Sequence, residues 1–192
     1  MYDGGMGKRE DILAATRDLI AEEGLQAFSF PKIFSRAGVG SGTVYHYFSS
    51  KEVLITTLYR ETSDLMDREV LMDYDPTASI KQRFRLLMKN LVRFVQTHWK
   101  ERAVLDACWH FAPLAEEVHD RLPPFADATF SLLADGQAQG IFVPLEPILV
   151  GSMTMGAIVA LVQGQLGGKY ELDESVVDQV IEGFWRALAP PG

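Results

Sequence analysis

The 192-residue sequence contains a single cysteine, Cys108, and no long alternation of polar and apolar residues. One cysteine excludes an intramolecular disulfide and is typical of proteins from reducing compartments. Without alternation there is no candidate for a β-sheet. Internal repeats and low-complexity segments are also absent, and charged residues such as Asp11 and Arg17 interrupt any signal-peptide pattern near the N-terminus. We therefore expect an all-α protein of the cytoplasm.

Positive charge is scarce as well. The chain has 18 Lys and Arg against 26 Asp and Glu, a formal net charge of −8. Residues 1–55 are close to neutral, so most of the acidic excess lies in the remainder of the chain. We therefore expect only weak non-specific electrostatic attraction between this chain and a densely negative partner.

Apolar residues near the N-terminus recur at the spacing of an amphipathic helix. They are Ile12, Ala15, Leu19 and Ile20. Thr16 is the one polar residue in this stripe, and its hydroxyl can bond back to the carbonyl of Ile12. Gly24 is predicted to end the helix with a left-handed backbone.

A turn between two further helices follows. Ser29 is predicted to cap the second helix, with Pro31 in its first turn, where a missing N–H costs nothing. Glycines on either side of Val39 allow a sharp turn, and a third helix is predicted from Ser41 onward. This order of elements predicts a helix-turn-helix.

The third helix has an unusual composition on its outward faces. Val44 and Phe48, four residues apart, mark its buried side. The remaining positions are Ser41, Gly42, Thr43, Tyr45, His46 and Tyr47. A solvated helix normally carries Lys, Glu or Arg there, so this surface favours contact with a large polar partner such as a duplex groove. Ser49 or Ser50 is predicted to cap a fourth helix, where Lys51 is placed to bind phosphate.

At these residues the chain resembles the TetR family of bacterial transcriptional regulators. The similarity covers roughly residues 12–54 and is strongest in Ala37-Gly38-Val39, in the run from Gly42 to Phe48, and in Ser50-Lys51-Glu52. The resemblance implies an all-α homodimer with an N-terminal three-helix DNA-binding domain, residues 1–53. A long helix would join it to a C-terminal bundle, residues 54–192, that binds an effector and dimerises.

The family's operator contacts carry over to matching residues only. Thr43 and Tyr45 would lie nearest the bases or their flanking phosphates, and Tyr47 and Lys51 on phosphate. The other residues assigned to DNA binding are Ser41, Gly42, His46 and Lys32. Three positions depart from the family's pattern, so we expect fewer side-chain contacts with bases. They are Pro31 in place of a basic residue, Gly40 in place of Ser, and Phe34 in place of Ala.

The function that this resemblance implies is repression from a pseudo-palindromic double-stranded operator, with release by a small, largely apolar effector. The alternative is a helix-turn-helix that binds protein and no specific DNA, which the acidic composition favours slightly.

The segment from Pro147 to Gly168 carries no charge and is long enough to span a membrane. Its polar and glycine residues favour a buried helix at a subunit contact instead, without a membrane. Small residues every fourth position would let another helix approach closely, and apolar residues of the last helix would complete the dimer seam. The predicted seam is Ser152, Gly156, Ala160, Gly164, Val177, Ile181 and Phe184.

Aromatic, methionine and cysteine side chains in the C-terminal part predict an apolar effector pocket, with His110 as its polar anchor. The predicted lining is Phe84, Met88, Trp99, Cys108, Trp109, His110, Phe111, Met153 and Met155. Ordinary core packing is the alternative for each of these residues.

An enzyme is the competing class. Cys108 with His110 or His98 would be a thiol and base, and a metal site would add His119. Neither set has a recognised ligand spacing, and residues i and i+2 of a helix point about 200° apart. We therefore expect no catalytic site, metal or cofactor.

Overall fold

The computed structural model describes residues 4–108, 111 and 123–190. Within these residues the chain forms nine α-helices, one short 3-10 turn at Leu25–Ala27, and no β-strand, which confirms the all-α prediction. The helices are α1 (Gly4–Glu23), α2 (Phe30–Ala37), α3 (Ser41–Tyr47), α4 (Lys51–Val70), α5 (Ile80–Thr97), α6 (Trp99–Cys108), α7 (Pro124–Ala138), α8 (Pro147–Leu166) and α9 (Glu174–Leu188).

The described residues group into two compact units. Unit one takes those within Met1–Leu65 and His98–Arg121, and unit two those within Met66–Thr97 and Leu122–Gly192. The grouping places α6 with the three N-terminal helices, whereas the domain boundary after residue 53 puts α6 in the C-terminal part. Ion pairs hold α6 to α1, because Arg17 Nη1 donates to Glu101 Oε1 at 2.9 Å.

The core of unit one is the meeting point of α1, α2 and α3. Ile12, Ile33 and Val44 are fully buried, one from each helix, and Phe48 closes the core beneath α3. The Thr16 hydroxyl donates to the Ile12 carbonyl at 2.7 Å, so the single polar residue of the α1 stripe is satisfied within its own helix. The three helices thereby share one apolar interior.

Helix ends in unit one agree only in part with the predicted caps. Gly24 has a φ of 80° but a ψ of 164°, so it ends α1 without the left-handed helical geometry that was predicted. Gly38 does adopt that geometry, with φ 63° and ψ 33°. Ser29 occupies the N-cap position of α2, yet its side chain makes no capping hydrogen bond. Ser50 rather than Ser49 caps α4, accepting from the Val53 N–H at 3.2 Å.

Unit two is built around α5, which packs against α7, α8 and α9. Two polar residues are buried in it. Asn90 Nδ2 donates to the carbonyls of Val70 and Met72, both at 3.0 Å, and so satisfies the end of α4. Arg83 donates through Nη1 to Asp135 at 2.6 Å, which fixes α5 against α7. Buried polar groups of this kind stabilise a fold only because their hydrogen bonds are made.

The start of α5 depends on a reciprocal pair that sequence analysis missed. The Gln82 N–H donates to Ser79 Oγ at 3.3 Å, and the Ser79 N–H donates to Gln82 Oε1 at 3.1 Å, which is a capping box. Asp75, which comes before Ser79 in the chain, accepts instead from the Thr77 N–H at 2.8 Å.

The helix α8 is long and apolar enough to cross a membrane by length and composition, with a mean hydropathy of 1.6. Val150, Ile158 and Val162 on one side of α8 are buried within unit two. Only 22% of its most apolar 18-residue window is buried, however. A largely uncharged face of α8 is therefore uncovered in the single chain.

Gly136 in α7 lies against the ring of Phe142, and a methyl group at this position would overlap that ring. The ring is fixed between Phe84 and Trp185, at centroid distances of 5.9 and 5.2 Å. We predict that Gly136→Ala lowers the free energy of unfolding by about 1–2 kcal/mol, because overpacking outweighs the higher helix propensity of alanine. Denaturant unfolding measures the change.

The matched control is Gly7→Ala in α1, where nothing lies within 4 Å of the added methyl group. This variant should be as stable as the wild type or slightly more so. Equal stabilities for the two variants would contradict the close packing of Gly136 against Phe142.

Candidate nucleic-acid interface

The helix α3 presents one continuous exposed face. Val44 is fully buried on the opposite side and anchors the helix. Ser41, Gly42, Tyr45 and His46 are exposed, whereas Thr43 and Tyr47 are half-buried at the edges of this face. All six positions are among those predicted to bind DNA. The structure brings them together on seven residues of a helix with no acidic side chain.

An aromatic cluster borders this face. The rings of Phe30 and Phe34, one turn apart on α2, stack with centroids 5.9 Å apart. Tyr45 meets Phe30 edge-on at a centroid distance of 5.1 Å. Phe34 was noted as a departure from the family's small residue, but the contact among these three rings was not predicted. The i, i+4 spacing of the two phenylalanines was the available signal.

Lys51 lies at the start of α4, where a phosphate contact was predicted. Its Nζ is 4.7 Å from the ring centroid of Phe28 and donates to the Phe28 carbonyl at 3.4 Å. The cation is thus held against an aromatic face, which restrains a long flexible side chain at the edge of the predicted interface.

Several cations of unit one are paired with carboxylates. Arg36 donates to Glu22 at 2.7 Å, and Lys32, which was predicted to bind DNA, pairs with Glu23. The hydrogen bond from Lys32 holds the pKa of the Glu23 carboxyl below its ordinary value. Arg9 likewise pairs with Glu61. These pairs leave the N-terminal helices with little unopposed positive charge, which agrees with the nearly neutral composition of residues 1–55.

The predicted effector-pocket residues fall in different places. Phe84 and Met88 lie in the core of unit two, Met155 is half-buried and Met153 is 69% exposed on α8. Cys108 is fully buried in unit one, to which Trp99, 39% exposed, and the half-buried Phe111 also belong. Trp109 and His110 lie outside the described residues.

Unit two contains a small apolar cavity among α5, α8 and the segment leading into α9. Its volume is about 10 Å³, and its lining is Val92, Ile158, Leu161, Val162, Leu172, Val177 and Val180. That is the space of roughly one water molecule, far below the several hundred Å³ of a typical ligand pocket. None of the predicted pocket residues lines it.

The geometry does not favour a thiol nucleophile. Burial raises the pKa of the Cys108 thiol to about 11, so the thiolate is scarce at neutral pH. His98 Nδ1 lies 3.9 Å from Glu101, and His110 and His119 lie outside the described residues.

The predicted dimer seam requires correction. Ser152, Gly156 and Ala160 are exposed along α8, as a subunit contact needs, and Phe184 is half-buried. The other three positions are covered within the chain itself. Gly164 lies under the Tyr170 side chain, and Val177 and Ile181 are buried in the core of unit two. A residue that its own chain already covers cannot also face a partner, so we leave these three out of the proposed seam.

Sequence comparisons place both parts of the chain. The family model described as "Bacterial regulatory proteins, tetR family" matches residues 12–58. The model described as "Tetracyclin repressor-like, C-terminal domain" matches residues 79–189. An HTH-type transcriptional regulator of Haemophilus influenzae is 25% identical over 187 residues, 93% of this chain and 94% of that protein. The transcriptional repressor KstR2 of Mycobacterium tuberculosis is 26% identical over 140 residues, 71% of this chain and 70% of its own length.

The fold agrees with these relatives. The structure of a TetR family transcriptional regulator from Vibrio parahaemolyticus is 29% identical and superposes with a TM-score of 0.76 over 96% of this chain and 99% of that one. These similar proteins are regulators of transcription, so they do not support the protein-binding alternative or an enzyme. The match over most of its length, together with the exposed face of α3, shows that this chain belongs to the TetR family of DNA-binding transcriptional regulators.

Proposed function

We propose that the chain is a cytoplasmic homodimeric repressor whose two α3 helices bind the half-sites of a pseudo-palindromic operator. The observation that carries this proposal is the exposed face of α3. It presents hydroxyl, imidazole and aromatic groups without any carboxylate, directly opposite the buried Val44 and Phe48. In helix-turn-helix proteins the second helix of the motif lies in the major groove, and dimer symmetry matches operator symmetry.

The uncovered face of α8 supports the dimer. Leu149, Ser152, Met153, Gly156 and Ala160 are all exposed and uncharged, and they recur at helical spacing. A helix face of exposed apolar and small residues without charge is typical of a subunit contact. Small residues at its centre let a symmetry-related helix approach closely. A dimer seam also explains why so apolar a helix is poorly covered within one chain.

Release of the operator follows from population shift. An effector lowers operator affinity only if it binds better to a dimer whose α3 helices are wrongly spaced. We assign effector binding to the C-terminal part of the chain, with Phe84, Met88 and Met155 of unit two as candidate lining residues. The small volume of the cavity in unit two implies that ligand binding there needs side-chain rearrangement.

The roles of individual residues on α3 can be separated by their effect on sequence preference. We predict that Tyr47→Ala or Lys51→Ala weakens binding to all duplexes about equally, because phosphate contacts carry no sequence information. Thr43→Ala should instead change the ranking of operator variants. Binding isotherms on a set of single-base operator variants measure both effects. A changed ranking with Tyr47→Ala and an unchanged one with Thr43→Ala would refute these assignments.

The seam is tested by blocking it at a glycine. Nothing lies within 4 Å of a Cβ atom added at Gly156, and the position is exposed, so Gly156→Arg should fold as a single chain but hold two subunits apart. We predict that light scattering gives twice the chain mass of 21.4 kDa for the wild type and the single mass for the variant. Gly7→Arg, also at an open helical glycine, is the control and should remain dimeric. A dimeric Gly156→Arg would place the seam elsewhere.

The paired cations lead to a prediction about salt dependence. Replacing Glu22 and Glu23 by Gln frees Arg36 and Lys32, so affinity for a random duplex should rise. The slope of log K against log salt should steepen by up to about 0.9 for each phosphate gained. Fluorescence anisotropy at several salt concentrations measures this slope.

The control has the same change in net charge far along the sequence, with the exposed Glu146 and Glu171 replaced by Gln. An equal change of slope in both double variants would mean that net charge alone, rather than release of Arg36 and Lys32, sets the affinity.

A further inference from the structure

The aromatic cluster of Phe30, Phe34 and Tyr45, here called the aromatic plate, is held by mutual ring contacts. The two phenylalanine rings are nearly parallel, with an interplanar angle of 7°. Tyr45 stands at 64° to both, with its centroid 5.1 Å from Phe30 and 6.4 Å from Phe34. Edge-to-face contacts of this kind favour one ring orientation. The Tyr45 ring therefore has a defined position before it meets any partner.

The aromatic plate is open to solvent on the face of α3 that we assign to DNA. Tyr45 is 52% exposed and Phe30 and Phe34 are half-buried. Exposed Ser41 and His46 lie on the same face as Tyr45. Core packing alone does not account for three clustered aromatic rings that remain this accessible.

The major groove offers one apolar group to such a surface. Thymine carries a C5 methyl group on its major-groove edge, and apolar side chains contact it. The neighbouring cations Lys32 and Arg36 are paired with carboxylates, so charge-based readout beside the plate is weak. An apolar contact with thymine would add sequence specificity that does not depend on those cations.

We propose that the aromatic plate binds thymine methyl groups of the operator half-site, with Tyr45 as the contacting ring and Phe34 as the residue that positions it. This inference rests on the operator binding proposed above. Phe34 acts through its edge-to-face contact, which restricts the Tyr45 side chain and reduces the entropy lost when the ring binds. A smaller residue at position 34 would leave Tyr45 in place but less constrained.

Uracil is the direct probe, because it differs from thymine only by the missing methyl group. The duplex that the wild-type protein selects from a random library is prepared twice, once with thymine and once with uracil at every thymine position. We expect the wild type to bind the uracil duplex about fourfold more weakly for each contacted methyl group, the value of burying one such group.

Variants separate the ring, its hydroxyl and its support. Tyr45→Phe keeps the ring and should keep the thymine preference, whereas Tyr45→Ala should bind both duplexes equally. Phe34→Ala should lower the thymine preference, and Phe34→Leu should restore part of it. Tyr45 is exposed, so its variants test the proposal even if Phe34→Ala does not fold.

Two results would overturn the inference while leaving operator binding intact. Equal wild-type affinity for the thymine and uracil duplexes would show that the protein makes no contact with the methyl groups. An unchanged thymine preference in folded Phe34→Ala, with only overall affinity reduced, would make Phe34 a packing residue. If no duplex is selected at all, both this inference and the proposed function fail together.

Discussion

The burial of Val44 and Phe48 is the constraint on which the DNA-binding surface depends. These residues lie one turn apart on and just after α3, and both are inaccessible to solvent because α1 and α2 complete the core around them. A helix of seven residues is too short to be stable by itself, so packing rather than propensity maintains it. Fixing one side of α3 in the core also fixes which side faces outward. The residues of α3 assigned to base or phosphate contact take their orientation from that pair.

Charge sets the second constraint. An acidic chain that binds a polyanion cannot depend on broad electrostatic attraction, and the N-terminal unit pairs several of its cations internally. Low non-specific affinity has an advantage, since a regulator must distinguish its operator from a large excess of other sites. Specificity then rests on shape, hydroxyl groups and aromatic contacts at α3. The aromatic plate is consistent with this, because it helps to distinguish operator sequences without adding positive charge.

The sequence predicted local features well where one short segment contains all the interacting groups. The turn around Val39, the buried positions of α3 and the Thr16 bond to Ile12 all depend on residues within about one or two helical turns. The dimer seam was harder because α8 and α9 carry apolar residues on more than one side. Periodicity finds such helices but cannot tell a face that packs on α5 from one that meets a second subunit. Val177 and Ile181 were misassigned for that reason.

Selection of duplexes from a random library by the purified protein, repeated at two salt concentrations, tests the central claim most directly. The account predicts enrichment of an inverted repeat with half-sites about one helical turn apart, bound by a dimer with only moderate salt dependence. Enrichment of no sequence by a correctly folded protein would contradict it, and would mean that the exposed face of α3 serves a partner other than DNA.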